Sequence, residues 1–513
     1  MESFLERHGD RVLGVLAGFD RLLFRGTLRS IAYPAGFDKF LGMCHVLYKD
    51  YAAFAQGISD RIKEHARQFA AERARPLVYV ASASVSKEDA ARRIMNKDQV
   101  QEGLVCVLSC VEPCVAFTVR RNAERKVLEV VSEHRKCLFL YFYFVDREFG
   151  LMHVRLQTWL PMPIQVCLNG REYLARRLDR AGIGYEKRDN CFTRIDDLRR
   201  AQAMLVDLEQ RNWVSFLNAL ARRLNPWMDR RNPLDLRPYY WTIRESEYAT
   251  DVMFRDEESL KAIYPALVDH AIRQFTAQDV MRFLERRTNS RFNGEASSNI
   301  RHRSEGVRIK HWVEENSMKM YDKQGSILRI ETTINNPRRF KVRRPSTRNG
   351  ERCSAWIPLR KSVTDMGRRV EICRVANERY LEALGVVGEP SPTRQLIDPV
   401  SRRIVHEGRN YRALRPIDPE EARLFAVLLD GRFLLQGFRN KDVRRRLFRC
   451  PGDDPAARKQ ASGRTTRLLR LLRAHGLIRK VSRTFYYRVT RKGTHVMSTA
   501  LRLREVDVAA LAV

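Results

Sequence analysis

The 513-residue chain has no run of about 18 apolar residues, the length needed to span a bilayer. Its longest apolar stretch, Cys137–Val145, is made of strand-forming types and reads as a buried strand. Ten cysteines are too sparse for a disulfide scaffold, which points to reducing, cytoplasmic surroundings. The first residues lack a basic region followed by an apolar one, so no secretory signal is expected. Internal repeats, a phosphate-cradling Gly-rich loop, a dinucleotide fingerprint and a zincin motif are all missing. Cys106, Cys110 and Cys114 share one strand parity in an apolar stretch, with no second Cys/His pair nearby. Buried thiols are therefore the better reading than a metal site.

Acidic residues are also scarce. Against 95 Lys+Arg stand 61 Asp+Glu, a formal charge of +34, while 44% hydrophobic residues mark a folded chain. Such an excess repels itself and is best tolerated beside a polyanion, so nucleic acid ranks ahead of an acidic membrane surface.

The pattern along the chain indicates an α+β, multidomain protein with antiparallel sheets and helices. Three domains are expected: residues 1–200, 201–395 and 396–513. Residues 1–75 read as helical, with Val12, Leu13, Val15, Leu16, Leu22 and Leu23 on apolar faces. Short strands follow from Leu77 to Trp159. A helix then opens at Asn169 as its cap, with Glu172 reaching back and Gly182 as the stop. In the central part, helices are expected at Glu257–Gln274, Ala277–Arg287 and Arg374–Leu384. The stretch Asn335–Arg352 reads as a basic surface arm, and a linker is expected near Gly388–Pro392.

Between Pro416 and Arg504, helices at Asp418–Leu429, Lys441–Phe448 and Thr465–His475 precede two alternating strands joined by a basic turn. Arg464, Arg467, Arg470 and Arg473 recur every three residues as one stripe, opposite Leu468, Leu469, Leu471 and Leu472. From Gln436 to Lys492 there are 18 Lys/Arg against 3 Asp/Glu. An arginine-faced helix with Lys480 and Arg483 on the adjacent turn suits a major groove, and a merely solvated basic face is the bland alternative. The phrase Leu-Leu-Arg-Ala-His-Gly-Leu-Ile-Arg-Lys…Tyr-Arg-Val-Thr-Arg-Lys-Gly resembles the winged helix-turn-helix of MarR-like and ArsR-like repressors. That resemblance implies DNA binding and is compatible with a homodimer, though no long helix demands one.

Two further patterns stand out. On the strand Leu151–Trp159 one face carries His153, Arg155, Gln157 and Trp159, a set able to bind phosphate and stack on a base, or simply to form a polar outer face. The second, Asn316–Asn335, reads as a hairpin with the three-residue loop Lys323-Gln324-Gly325. This would put Tyr321 opposite Ile327 and Lys319 opposite Arg329, gathering Lys319, Tyr321, Arg329 and Glu331 on the polar side. Arg338, Arg339 and Lys341 extend the basic surface beside it. Glu295, Glu305, Asp322 and Asp365 show no spacing diagnostic of two-metal chemistry, so no metal ligands are assigned.

The Tyr-Asp-Lys…Arg-hydrophobic-Glu element resembles that of rolling-circle replication initiators. The resemblance implies a tyrosine attacking a DNA phosphodiester beside Mg2+ or Mn2+, with Tyr321, Glu331 and His153 as catalytic candidates. The family's His-hydrophobic-His motif is replaced here by His153-Val-Arg155, and Arg cannot ligate a metal. The sequence therefore supports a DNA-binding protein of mobile-element or replication-initiator type that nicks or processes a strand. A non-enzymatic winged-helix regulator and an RNA-binding component of a ribonucleoprotein remain open.

Overall fold

The computed structural model describes residues 1–82, 84–229, 234, 236–285, 296–303, 306–348, 351–387, 393–448, 455–481 and 484–506. Arg483, Glu295, Glu305 and the linker expected near Gly388–Pro392 lie outside them.

The α+β body is built on one eleven-stranded sheet in the order β10-β11-β12-β13-β9-β1-β6-β5-β4-β3-β2. Its strands are β1 (Val12–Thr27), β2 (Leu77–Tyr79), β3 (Gly103–Asn122), β4 (Val127–Asp146), β5 (Gly150–Gln157), β6 (Ile164–Asn169), β9 (Tyr240–Phe254), β10 (Ala296–Arg303), β11 (Gly306–Val313), β12 (Asn316–Lys323) and β13 (Ile327–Thr333). The short ribbon of β7 (Tyr185–Arg188) and β8 (Cys191–Ile195) stands apart. All sheet pairings are antiparallel except β2 with β3. A division at residue 200 does not separate two sheets: β9 and the β12–β13 hairpin continue the sheet begun by β1.

The largest departure from expectation is β1. Its leucines are spaced like a helix face, yet Val12–Thr27 is a sixteen-residue strand at the middle of the sheet. Between Leu16 and Asp20 both faces are covered, which removes the apolar–polar alternation, whereas from Arg21 onward buried Leu22, Phe24 and Gly26 alternate with exposed Arg21 and Arg25. Phe19, Leu22 and Phe24 enter the main core, whereas Leu16 packs with the helices Gly170–Ala181 and Leu198–Glu209 on the other face. Close packing sets the small residues: a Cβ on Gly18 would stand 2.9 Å from Leu205 Cδ1.

The main core lies on one face of the sheet beneath Tyr51–Ala71, Trp213–Leu224, Tyr264–Arg273 and Met366–Leu384. Among the described residues, two smaller clusters lie on the opposite face. One joins Leu16, Met253 and Ile327 to Gly170–Ala181 and Leu198–Glu209, and the other joins Val105, Leu108 and Tyr143 to the helix Lys87–Lys97. Between them the sheet carries polar side chains.

Asn169 caps its helix by accepting from the Arg171 and Glu172 amides, and Gly182 ends it in the left-handed conformation, as the sequence suggests. Glu172, however, bonds Lys187 at 2.6 Å instead of reaching back. The hairpin register also differs. Gln324 and Gly325 both have positive φ, so the loop is Gln324-Gly325-Ser326 and the strands slide by two residues. Lys319 therefore faces Glu331, and Tyr321 faces Arg329. Opposite charges replace the two adjacent cations expected from the sequence.

The basic arm is a ribbon of β14 (Lys341–Arg348) and β15 (Glu351–Pro358), with an exposed Trp356 opposite Arg343. The C-terminal unit has its own core of Leu424, Phe425, Val443, Leu469, Leu472 and Val496, among others. It contains β16 (Ile404–His406), β17 (Arg409–Tyr411), the helices Pro419–Leu428, Asn440–Leu447, Pro455–Ala474 and Arg491–Glu505, and the ribbon β18 (Ile478–Lys480) with β19 (Tyr487–Val489). Its arginine-rich helix starts at Pro455, not near Ser462. Ser462 lies inside it and donates to Asn440 Oδ1 at 3.3 Å.

At the start of the capped helix, a Cβ on Gly170 would lie 1.9 Å from the Phe19 carbonyl oxygen, so any side chain forces β1 and the helix apart. Gly170→Ala is expected to lower stability by about 1–3 kcal/mol through overpacking, read as a lower urea midpoint with unchanged slope.

Candidate functional site

The polar strip crosses β12, β13, β9, β1, β6 and β5. Alternation directs Lys319, Tyr321, Arg329, Glu331, Glu247 and Asp251 to one face of the first three strands. At β1 the register with β9 skips between Phe19 and Arg21, which makes Asp20 the bulged residue and turns its carboxylate onto this face. As a result Asp20, Glu247 and Glu331 offer carboxylate oxygens all within 4.8 Å of one another.

A buried ion network fixes this cluster. Arg329, fully buried, bonds Asp251 at 2.5 and 2.8 Å, Asp20 at 2.8 Å and the Asn190 carbonyl at 3.0 Å. Arg171, also fully buried, adds a contact to Asp251 at 2.9 Å. Burial alone would raise the Asp251 carboxyl, yet Arg329 and Arg171 hold it below its usual value. Lys319 bridges Glu331 at 2.5 Å and Glu247 at 3.1 Å. Burial works against its charge, but the two glutamates keep its pKa above normal. Four carboxylates (Asp20, Asp251, Glu247, Glu331) thus face three directly paired cations (Arg171, Arg329, Lys319), and the charges of Arg21 and Lys310 also act on Glu247.

The Tyr321 hydroxyl donates to Glu331 Oε2 at 2.9 Å. Burial, followed by the nearby Glu331 charge, pushes the phenol well above its ordinary pKa. A protonated, half-buried phenol is a poor nucleophile. In this geometry Tyr321 orients Glu331.

Farther along the strip, Arg21, Arg25 and Arg244 are exposed, with Gln165, Cys167, His153 and Arg155 half-buried beside them. Arg21 stands opposite Glu247, and Arg25 opposite Thr242 and Gln165. Burial and then the charges of Arg244 and Arg155 lower the Arg25 pKa, the signature of cations crowded together. Arg155 is neutralised by Glu112 at 2.7 Å and also bonds the Tyr141 hydroxyl at 2.9 Å. Among the described residues Arg25 and Arg244 have no ion-pair partner. The strip is four strand spacings wide from β13 to β5, about 19 Å.

His153 sits at the far side of that strip, its ring 5.0 Å from that of Tyr143, and does not join Tyr321 and Glu331. Burial, aided by Arg21 and Arg155 and opposed by Glu88, lowers its pKa to about 4. Gln157 and Trp159 are not on the strip. Gln157 is buried and donates to the Trp159 carbonyl, while Trp159 lies beyond the end of β5 and donates to the Phe117 carbonyl at 3.3 Å. Arg338 and Lys341 are exposed, and Arg339 pairs with Glu314 at 3.2 Å. In the C-terminal unit Arg464, Arg467, Arg470 and Lys480 are exposed, whereas Arg473 is held by Glu407 at 2.7 Å.

Asp20, Glu247, Asp251, Arg171, Arg25 and Arg244 are absent from the sequence-based candidates. The helical reading of β1 hid Asp20, although a lone acid in the run Gly-Phe-Asp-Arg-Leu-Leu-Phe is itself a signal. Alternation in Arg244-Glu-Ser-Glu247 carried the other. No family model, curated protein or solved structure matches the chain.

Removing Arg329 leaves Asp251 and Asp20 without their main buried partner. Arg329→Met is expected to cost about 3–5 kcal/mol at neutral pH. Asp251 has a depressed folded pKa, so its stabilisation is complete above the unfolded value of about 3.9 and disappears as pH falls through the folded one. Denaturant titrations should therefore show the gap between wild type and variant closing on acidification.

Proposed function

We propose that the chain is a nucleic-acid-binding protein of replication-initiator or mobile-element type. In this reading it lays a DNA strand across the polar strip and cleaves a phosphodiester at Asp20, Glu247 and Glu331 with Mg2+ or Mn2+. The observation that carries the reading is the presence, on one sheet face, of arginines that lack ion-pair partners among the described residues beside a cluster of three carboxylates, two of them buried. Phosphates would neutralise Arg25 and Arg244. Three carboxylates with oxygens within 4.8 Å of one another suit a hard divalent cation. Such an ion polarises a phosphoryl oxygen and lowers the pKa of a bound water. The chain's own contributions are the bulge that presents Asp20, the Tyr321 hydrogen bond that orients Glu331, and Lys319, which balances the glutamates and lies within reach of an incoming phosphate.

Burial of Tyr321 favours water over tyrosine as the nucleophile. Single-stranded and nicked DNA incubated with Mg2+ or Mn2+ should be cleaved by the wild type, and at least about 100-fold more slowly by Asp20→Asn or Glu331→Gln. Tyr321→Phe should retain cleavage; loss of cleavage together with a covalent protein–DNA adduct in the wild type would establish the tyrosine route. Arg25→Gln combined with Arg244→Gln should weaken binding and reduce the salt slope by about 0.7 per lost contact on single strands. No cleavage under any divalent ion would overturn the enzymatic reading.

A second reading, a non-enzymatic winged-helix regulator, is favoured by one observation: the C-terminal unit has its own core and exposes Arg464, Arg467 and Arg470 on one helix. It predicts sequence-specific duplex binding without cleavage. Digesting co-purified nucleic acid with RNase or DNase separates both readings from an RNA-binding role.

A further inference from the structure

The arginine stripe of the C-terminal unit does not stand on a free convex face. The hairpin β16–β17 lies along the helix Pro455–Ala474, tied to it through Glu407 and Arg473. Together with the helix Pro419–Leu428 it walls a groove of about 840 Å3, within the range of small-molecule sites. Arg409, Arg412, Arg423, Arg464, Arg467 and Arg470 line it, against two carboxylates among the described residues, Glu420 and Glu421. Glu421 is already satisfied by Arg412 at 2.6 Å and by the Arg415 amide at 2.8 Å. Arg423 is anchored on the Leu447 carbonyl at 2.7 Å. Among the described residues, the side chains of Arg464, Arg467 and Arg470 have neither a hydrogen bond nor an ion pair. Their stripe therefore borders a concave space in which, among the described residues, Glu420 is the one lining carboxylate without an ion-pair partner.

The floor of the groove is different in character. Leu424, Leu447, Leu468 and Leu471 supply apolar surface, and Tyr411 and Phe448 supply aromatic faces. Contact with a nucleic-acid backbone needs neither concavity nor an apolar floor, because phosphate is bound from outside by surface cations. Guanidiniums converging above apolar and aromatic walls match a compact ligand with a phosphate-dense head and a flat, stackable body.

We propose that this groove binds a nucleoside polyphosphate, with Arg464, Arg467 and Arg470 on the phosphates and the base seated against Tyr411, Phe448 and the leucine floor. A bound nucleotide would occupy the arginines that a duplex could otherwise use, so nucleotide and duplex compete for this unit. The inference stands on the C-terminal unit alone and is independent of the carboxylate cluster.

The test is calorimetric titration of the full chain with ATP and with GTP in EDTA at low salt, which excludes any cation-dependent binding at the sheet. One nucleotide per chain is expected, with inorganic triphosphate binding more weakly because it has no base. Arg467→Gln and Arg470→Gln should each raise the dissociation constant at least about tenfold. Arg479→Gln, on β18 outside the groove, should leave it unchanged. Far-ultraviolet circular dichroism confirms that each variant is folded. Failure of both nucleotides to bind, binding unaffected by both groove variants, or triphosphate binding as tightly as ATP overturns the proposal. So does a short duplex whose binding is lost in the same variants while nucleotides do not bind, an outcome that returns the stripe to backbone contact.

Discussion

The contact on which the body depends is the ion pair of Arg329 with Asp251 and Asp20. It joins β13, β9 and β1 at one point, and Arg171 brings in the first turn of the helix Gly170–Ala181. A guanidinium with no solvent exposure is tolerable only because carboxylates and a carbonyl occupy its donors. The same bonds determine where the cluster's charge is available. Asp251 is consumed internally, while Glu247 and Glu331 are left with Lys319, a single-point cation that can swing aside more readily than a forked one.

The two faces of the sheet divide the work. One is sealed by the main core, and the other is gripped at both ends by small clusters and left open between them. The helices that flank the opening hold β1 and β9 in register, so the polar strip is part of the most continuous element in the chain. Side chains on such strands are placed more precisely than they would be on loops.

Much of this was legible in the sequence, and the failures have physical causes. The polar and apolar sides of the β12–β13 hairpin follow from alternation, and Met318, Met320, Leu328 and Ile330 are all in the main core. The register does not follow, because it depends on whether Gln324 accepts a left-handed backbone, a choice the local sequence leaves open. Asn169 and Gly182 bound their helix because caps are local signals. β1 imitates a helix in sequence because coverage of both faces between Leu16 and Asp20, and the bulge at Asp20, interrupt the alternation that resumes at Arg21. Asp20 went with it, since a bulge becomes visible only once the partner strand is known. The arginine stripe was readable, but the hairpin β16–β17 that walls it is distant in sequence from the helix it meets.

The central position of β1 also has a consequence in time. It precedes every other strand of this sheet along the chain, yet its two neighbours, β6 and β9, begin at Ile164 and Tyr240. Until both are synthesised, a long apolar strand has two unpaired edges, and the sheet can close only through contacts between distant parts of the chain. Gly14, Gly18 and Gly26 weaken its intrinsic preference for extended structure, which limits premature pairing during that interval. The strand that organises the native sheet is thus also the one whose nascent state most needs protection from other chains.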